Sequence, residues 1–115
     1  MASEDLDLLQ QQFPDCQTLA FADIGTEMVL VTNTGTTLER HALNRLCAEA
    51  ACTLGREGEL RAQSALVCTP EEIRFYLRAA DHPDDVLICI GRPGLDIAAF
   101  RPLAQAFLHR QATAE

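Results

Sequence analysis

Apolar and polar residues follow two spacings along this chain, and the first of them is helical. Leu6, Leu9 and Phe13 recur on one side of a predicted helix. Ser3 offers a hydroxyl that can cap the start of this helix, and Pro14 cannot continue it. We therefore predict a short first helix between these two residues.

The next apolar residues follow the alternating spacing of strands. Bulky residues alternate with alanines over Thr18–Ile24, and Met28–Thr32 is a second run of strand-forming residues. The connection between them is a short one around Gly25. The two runs predict a β-hairpin.

Helical spacing returns in the segment that ends near Leu54. Thr36 and Glu39 have the spacing of a capping box, and Gly55 with Gly58 predicts the end of the helix. A polar loop, residues 56–63, follows it. The residues predicted to pack on a sheet are Leu43, Leu46, Cys47, Ala50 and Leu54.

The segment TPEEIRFYLRAADHPDD, residues 69–85, fits either a helix or a strand. Thr69 and Pro70 are typical of a helix start, but a helix would leave Phe75 in water. A strand buries Phe75 and exposes Tyr76 to water on the other face. Burying a phenylalanine is worth about 2–3 kcal/mol and a cap about 1 kcal/mol, so we predict the strand.

The remaining segments complete an α-β-β-α-β-β-β-α order. Ala65–Cys68 and Val86–Ile90 have the pattern of strands, and the last helix is expected to begin near Arg101, with Pro102 in its first turn. The predicted fold is α+β, with one domain over residues 1–115. A five-stranded antiparallel sheet carries the long central helix on one face and the terminal helices on the other.

Charge and composition narrow the classes of partner. The chain has 115 residues, a formal net charge of −8 and nine basic residues, all of them arginine. This excess of negative charge disfavours nucleic acid and anionic membranes as binding partners. No apolar run reaches the roughly 20 residues that span a bilayer, and the acidic start MASEDLDLL does not resemble a secretory signal. We expect a cytoplasmic protein without membrane insertion.

The chain shows no arrangement of residues that suggests catalysis, a cofactor or a metal. Thr32–Thr37 precedes a helix but lacks the glycine and lysine pattern of a phosphate loop. Cys68 and His82 are expected at opposite ends of a hairpin, too far apart to act together. The cysteines lack metal-binding spacing and are predicted to be mostly buried structural thiols; they are Cys16, Cys47, Cys52, Cys68 and Cys89.

Three stretches carry a resemblance to a known family. They are LAFADIGTEMVLVTNTG, LNRLCAEAACTL and TPEEIRFYLRAADHPDDVLICI, and with the last helix they cover nearly the whole chain. Together they resemble the roadblock/dynein light-chain domain in its bacterial form, a profilin-like architecture. The short first helix and Pro102 depart from the family pattern. The resemblance implies a non-enzymatic homodimer, paired through the central helix and joined sheet edges, that regulates or scaffolds a small Ras-like GTPase.

The outer face of the central helix is the candidate interaction surface. Alanine and cysteine stand at its centre, where small side chains would let a second helix approach closely. The dimer-interface candidates are His41, Arg45, Ala48 and Cys52. The partner-contact candidates are His41, Asn44, Arg45 and Glu49. An alanine-rich helix that simply faces water is the alternative.

Two other classes of function stay open. If residues 69–81 form a helix, the chain is a small α/β enzyme or phospho-receiver with a parallel sheet. If the antiparallel meander holds, the fold could instead serve as a small-ligand sensor, which an apolar cavity would favour.

Overall fold

The computed structural model describes residues 2–55, 62–80 and 82–113, and its elements follow the predicted order. The predicted α+β class is confirmed. The elements are α1 (Ala2–Gln12), β1 (Cys16–Asp23), β2 (Met28–Thr32), α2 (Arg40–Leu54), β3 (Ser64–Cys68), β4 (Ile73–Arg78), β5 (Asp85–Gly91) and α3 (Ile97–Thr113). No helix among the described residues is long and apolar enough to cross a bilayer.

The five strands form one antiparallel sheet in the order β2-β1-β5-β4-β3. The strand prediction at Ile73 is therefore confirmed, and the parallel-sheet alternative is wrong. The hydroxyl of Thr69 accepts hydrogen bonds from the backbone N–H groups of Glu71 and Glu72, at 3.3 and 3.0 Å. These residues, which resemble a helix start, instead close the turn that joins β3 to β4.

Each face of the sheet has its own apolar core. On one face, α1 and α3 cover a cluster rich in phenylalanine, which includes Phe21, Phe75, Phe100 and Phe107. On the other face, α2 covers a cluster rich in small residues, which includes Ala20, Ala22, Ala50 and Ala51. The predicted placement of the helices is thus confirmed.

Strand β4 buries residues on both of its faces, which corrects one prediction. Phe75 is buried as predicted, but Tyr76 was expected to face water and has no exposed surface. Arg78, on the same side as Tyr76, is only 3% exposed. The cause is α2, which covers the side of the strand that the alternation pattern alone assigns to solvent.

The starts of the first two helices differ from their predictions. Helix α1 begins at Ala2, so Ser3 lies inside its first turn. Helix α2 begins at Arg40 without a side-chain cap from Glu39. The Thr36 hydroxyl lies 3.1 Å from that of Thr18 and so ties the preceding loop to β1. The predicted capping box is wrong because α2 begins only at Arg40, beyond the reach of Thr36, whose hydroxyl instead accepts from the backbone N–H of Leu38 at 3.4 Å and contacts Thr18. Most of the predicted polar loop, residues 56–61, lies outside the described residues.

Helix α3 begins earlier than predicted and continues through its proline. Asp96 caps it, since the backbone N–H of Ala99 donates to the Asp96 carboxylate at 3.1 Å. Pro102 therefore lies inside the helix, and the predicted start near Arg101 is wrong. Proline removes one helical donor, but Pro102 faces water, while the burial of Phe100 holds the first turn against the sheet.

Candidate functional site

The outer face of α2 carries a continuous exposed stripe. The buried side of the helix consists of Leu43, Cys47, Ala50, Ala51 and Leu54. The four dimer-interface candidates all lie on the opposite side and are exposed; they are His41, Arg45, Ala48 and Cys52. Of the further partner-contact candidates, Asn44 is exposed and Glu49 is half-buried. The sequence thus brings these side chains together on one surface.

A shallow hollow lies beside the centre of this stripe. Ala48 and Cys52 border it together with Glu27 of the β1–β2 turn, and its volume is about 430 Å³. Glu27 adopts a positive φ of 56°, the tight backbone conformation that brings the turn back beside α2. Because the helix residues at the hollow are small, its floor lies close to the α2 backbone.

A larger groove follows the other flank of α2, where the helix meets the end of the sheet. Arg45 and Glu49 line it from the helix, Arg74 and Ile90 line it from the sheet, and its volume is about 690 Å³. Thr18 and the loop before α2 close its far side. The candidate surface therefore has a helical crest with a hollow on one side and a mixed polar and apolar groove on the other.

Glu49 is held from the sheet by two side chains of β4. The Tyr76 hydroxyl donates a hydrogen bond to the Glu49 carboxylate, and Arg74 Nη1 lies 3.0 Å from both of its oxygens. Arg74 Nε also donates to Glu72 at 2.7 Å. The Glu49 carboxylate is thus used within the chain, and its position in the groove is fixed.

The same contacts set the protonation of the three groups. Burial acts to raise the pKa of Glu49, but the hydrogen bonds from Tyr76 and Arg74 outweigh it, so the net pKa is lowered. Burial and the bond to Glu49 raise the pKa of Tyr76. The bonds to Glu72 and Glu49 raise the pKa of Arg74. At neutral pH, tyrosine is the neutral donor and Glu49 the charged acceptor.

The C-terminal end of α2 is anchored by Arg78. Its guanidinium donates to the carbonyls of Leu54 and Gly55, where the helix has no further N–H groups to pair them. It also donates to the carbonyls of Ala62 and Pro83, at 3.0 and 2.6 Å. One buried side chain on β4 therefore joins the end of α2 to the segment before β3 and to the turn between β4 and β5.

Sequence reasoning missed these β4 anchors. Arg74, Tyr76 and Arg78 alternate along one face of the strand. Tyrosine and long polar side chains are also ordinary on strand faces that meet solvent, so this alternation alone does not show that a helix covers the face.

The other candidate groups are placed separately. The His41 imidazole is 71% exposed and lies 3.4 Å from the exposed carboxylate of Glu39. Cys68 is exposed, as is Cys52, so the prediction of buried thiols holds only for the other three cysteines. Among residues 2–55, 62–80 and 82–113, no three His, Cys, Asp or Glu side chains are grouped as metal ligands are.

The two edges of the sheet differ. At the β2 edge, Arg40 Nη1 donates to the carbonyl of Val29 at 3.1 Å, and the pairing with β1 shifts register between Phe21 and Ala22. The sequences of both edge strands, MVLVT for β2 and SALVC for β3, carry no charge, and each has an exposed leucine at its centre, Leu30 at 55% and Leu66 at 49%. The two edges therefore differ in the Arg40 contact and in the register shift. Charges and irregularities protect an edge from further pairing, so β3 is the better template for an added strand.

No family model and no curated protein sequence matches this chain. Solved structures do. A Roadblock/LC7 domain from Streptomyces avermitilis is 15% identical, with 97% of this chain and 95% of that chain covered and a TM-score of 0.79.

Two solved MglB structures are similar over nearly their whole length. MglB of Myxococcus xanthus is 10% identical, covering 98% of this chain and 93% of its own, with a TM-score of 0.76. The gliding protein MglB from Thermus thermophilus is 16% identical, covering 99% of this chain and 90% of its own, with a TM-score of 0.73. The resemblance seen in the sequence is confirmed at the level of architecture: this chain has the Roadblock/LC7 fold.

Proposed function

We propose that this protein is a non-catalytic homodimeric regulator or scaffold that binds a small Ras-like GTPase. The observation that carries the proposal is the exposed stripe on α2, with small residues at its centre and polar residues at its sides. The fold shared with MglB supports a role in protein interaction. The family resemblance supplies the class of partner.

The dimer is proposed to form around Ala48. When two copies of α2 cross at Ala48 and Cys52, no large side chain keeps the backbones apart. A two-fold axis there would bring the same residues of both copies together, as an isologous interface requires. Strand β3 offers the sheet edge for pairing, because no arginine side chain among residues 2–55, 62–80 and 82–113 bonds to its backbone as Arg40 bonds to that of β2.

The partner surface is proposed to consist of the residues beside this crossing. His41, Asn44 and Arg45 are exposed and can make new contacts, whereas Glu49 is fixed by Arg74 and Tyr76. Glu49 therefore shapes the groove, and Arg45 offers it a cation in a protein of net charge −8. A partner with exposed carboxylates fits this side of the helix.

The dimer is tested by light scattering coupled to size exclusion, with wild type beside Ala48→Arg. We expect a mass of two chains for the wild type and of one chain for the variant, because the arginine occupies the crossing point. Ala106→Arg is the matched control, since Ala106 is exposed on α3, and it should stay dimeric. A monomeric wild type, or an Ala48→Arg dimer, contradicts the proposed interface.

The GTPase is tested by affinity capture from the source cell, with GTP or GDP present and mass spectrometry as the readout. We expect a small GTPase to be retained by the wild type and lost with Arg45→Glu. Arg92→Glu, an exposed charge reversal in the turn before α3, should leave capture unchanged. Failure of the wild type to retain any small GTPase in either nucleotide state would count against this partner.

A small-ligand sensor is a second candidate, suggested by the size of the groove beside α2, although the groove is mixed polar and apolar and not the apolar cavity expected of such a sensor. Its volume of about 690 Å³ lies within the range of small-molecule sites, roughly 300–1,000 Å³. Thermal-shift screening with metabolites tests it. A ligand that raises the melting temperature of the wild type but not of Arg45→Glu would support the groove as its site.

A further inference from the structure

Two buried cysteines from neighbouring strands meet inside the phenylalanine-rich core. The Sγ atoms of Cys16 on β1 and Cys89 on β5 lie 3.0 Å apart, and the two residues are 73 positions apart in the chain. Cys16 has no exposed surface and Cys89 is 1% exposed. A disulfide bond has a length of about 2.05 Å, so the two sulfurs need to approach by only about 1 Å.

An irregularity in the sheet produces this contact. Leu19 lies opposite Cys89, and the pairing then shifts register between Cys16 and Thr18, so that Cys16 lies opposite Gly91. Without the shift, strict alternation would place Cys16 on the α2 face, away from Leu19. With it, Cys16 joins Leu19 and Cys89 in the same core cluster. The extra residue in β1 thus aims the Cys16 side chain at Cys89.

We propose that Cys16 and Cys89 form an oxidative modification site, which a hydroperoxide converts to an intramolecular disulfide. One thiolate attacks a peroxide oxygen and breaks the O–O bond, which gives a sulfenic acid and hydroxide. The second thiolate attacks the sulfenic sulfur, forms the S–S bond and releases the oxygen as a second hydroxide. The two protons that the thiols lost on ionisation convert both hydroxides to water. With hydrogen peroxide the sum is two thiols and one peroxide in, and one disulfide and two waters out.

The surroundings predict a slow reaction. The hydrogen bond with Cys16, together with burial, raises the pKa of the Cys89 thiol, which reduces the fraction of thiolate. Sγ of Cys16 also lies within hydrogen-bond reach of the carbonyls of Thr18 and Ile90, at 3.7 and 3.9 Å. Exposed Cys52 and Cys68 should therefore react first, and the pair should be oxidised only when the core opens locally.

The bridge would join the start of β1 to β5. Because it closes a long loop of chain, it restricts the unfolded state, and the oxidised protein should melt several degrees above the reduced one. This inference concerns the core on the α1–α3 side and does not depend on the proposed dimer or GTPase.

The test uses the full chain with Cys52→Ser and Cys68→Ser, which leaves only the three buried cysteines. Cys47 lies on the opposite face of the sheet and serves as an internal competitor. After treatment with hydrogen peroxide, we expect the intact mass to fall by two hydrogen atoms. Non-reducing peptide mapping should join Cys16 to Cys89, and a reductant should reverse the rise in melting temperature.

A second experiment decides the outcome if the buried thiols of the folded protein do not react with hydrogen peroxide. The same variant is unfolded, reduced and refolded in a buffer of reduced and oxidised glutathione, where the folded geometry selects the pair. A dominant Cys16–Cys89 bridge supports the proposal. Bridges to Cys47, or three thiols still reduced at the end of refolding, overturn it. Adding Cys16→Ser or Cys89→Ser should abolish the bridge in both experiments.

Discussion

The two faces of the sheet are stabilised in different ways. Under α1 and α3, phenylalanine rings pack edge to face: Phe21 with Phe107 at a centroid distance of 5.8 Å, and Phe75 with Phe100 at 6.1 Å. Under α2 the core is built largely from alanines and short aliphatic residues, and long polar side chains of β4 bind the helix. The packing of large apolar side chains stabilises the first face, whereas directed hydrogen bonds contribute more to the stability of the second.

This difference explains how α2 can keep an outer face for interaction. A helix packed only through large apolar side chains can shift when its neighbours repack. Helix α2 is instead fixed at two points, at Glu49 by Arg74 and Tyr76 and at its C-terminal end by Arg78. Hydrogen bonds of fixed direction set its position, so the exposed stripe has a defined geometry before any partner binds.

The largest expected loss of stability is on the phenylalanine-rich face. Phe100→Ala removes a fully buried ring that also contacts Phe13 at a centroid distance of 5.2 Å. We expect the free energy of unfolding to fall by about 3–5 kcal/mol, as measured by chemical denaturation. Leu103→Ala, at a 39% exposed position of the same helix, should cost under about 1 kcal/mol. Equal losses of stability from the two substitutions would contradict a core that is stabilised by the burial of large side chains.

The next effect is at the polar anchor of α2. Arg78→Met keeps an unbranched apolar stem but removes the guanidinium that donates to the carbonyls of Leu54 and Gly55, while the bond from the Ala62 backbone N–H to Leu54, at 2.7 Å, remains. We expect a loss of roughly 2–3 kcal/mol, with faster amide hydrogen exchange in the last turn of α2 than elsewhere. Arg92→Met, at an exposed arginine, should leave both measurements near the wild type. Uniformly faster exchange across the whole chain would argue against a local anchor.

A smaller loss is expected at Tyr76. Tyr76→Phe removes the hydroxyl that donates to Glu49 and should cost about 1–2 kcal/mol at neutral pH. The pKa of Tyr76 is raised in the folded state, so its contribution is present below the unfolded pKa of about 10 and is lost as pH rises through the folded value. The difference in the free energy of unfolding between wild type and variant should narrow only in strong alkali. A difference that already narrows at neutral pH would contradict a hydrogen bond donated by the Tyr76 hydroxyl.

Glu49→Gln should have the smallest effect, under about 1 kcal/mol, because the carboxylate and Arg74 are partly exposed. The pKa of Glu49 is lowered in the folded state from an ordinary value of 4.5. Its contribution is therefore present above the unfolded pKa and is lost as pH falls through the folded value. Chemical denaturation at a series of acidic pH values should show that the difference in the free energy of unfolding between wild type and variant disappears as the pH falls. Glu71→Gln, at an exposed turn residue, should show no such gap.

The sequence predicts the elements well because burial dominates their choice. Phe75 correctly predicts that β4 is a strand, because a helix would leave its ring in water. The polar residues that resemble a helix start can equally well form a turn. The same alternation places Tyr76 on the other face but does not reveal that α2 covers it. Which side of a strand is covered depends on the packing of distant segments.

Local signals fail where a tertiary contact competes for the same group. Thr36 has capping-box spacing, yet α2 begins only at Arg40, and the Thr36 hydroxyl contacts Thr18 and the backbone of Leu38 instead. Pro102 is a helix breaker by type, yet the Asp96 cap and the burial of Phe100 begin the helix before it. The meeting of Cys16 with Cys89 depends on a register shift that alternation cannot predict. The exposed stripe on α2 needs only helical periodicity, and its exposure follows the prediction.

The arginine at the β2 edge has a consequence for growth of the sheet. With Arg40 bonded to a carbonyl of β2 and the pairing of that strand irregular, β3 is the more receptive of the two edges in the described part of the chain. Two copies joined there about a two-fold axis would use up both receptive edges and present a protected one at each end. Such an assembly is self-terminating, so one guanidinium would help to separate a finite particle from a fibril.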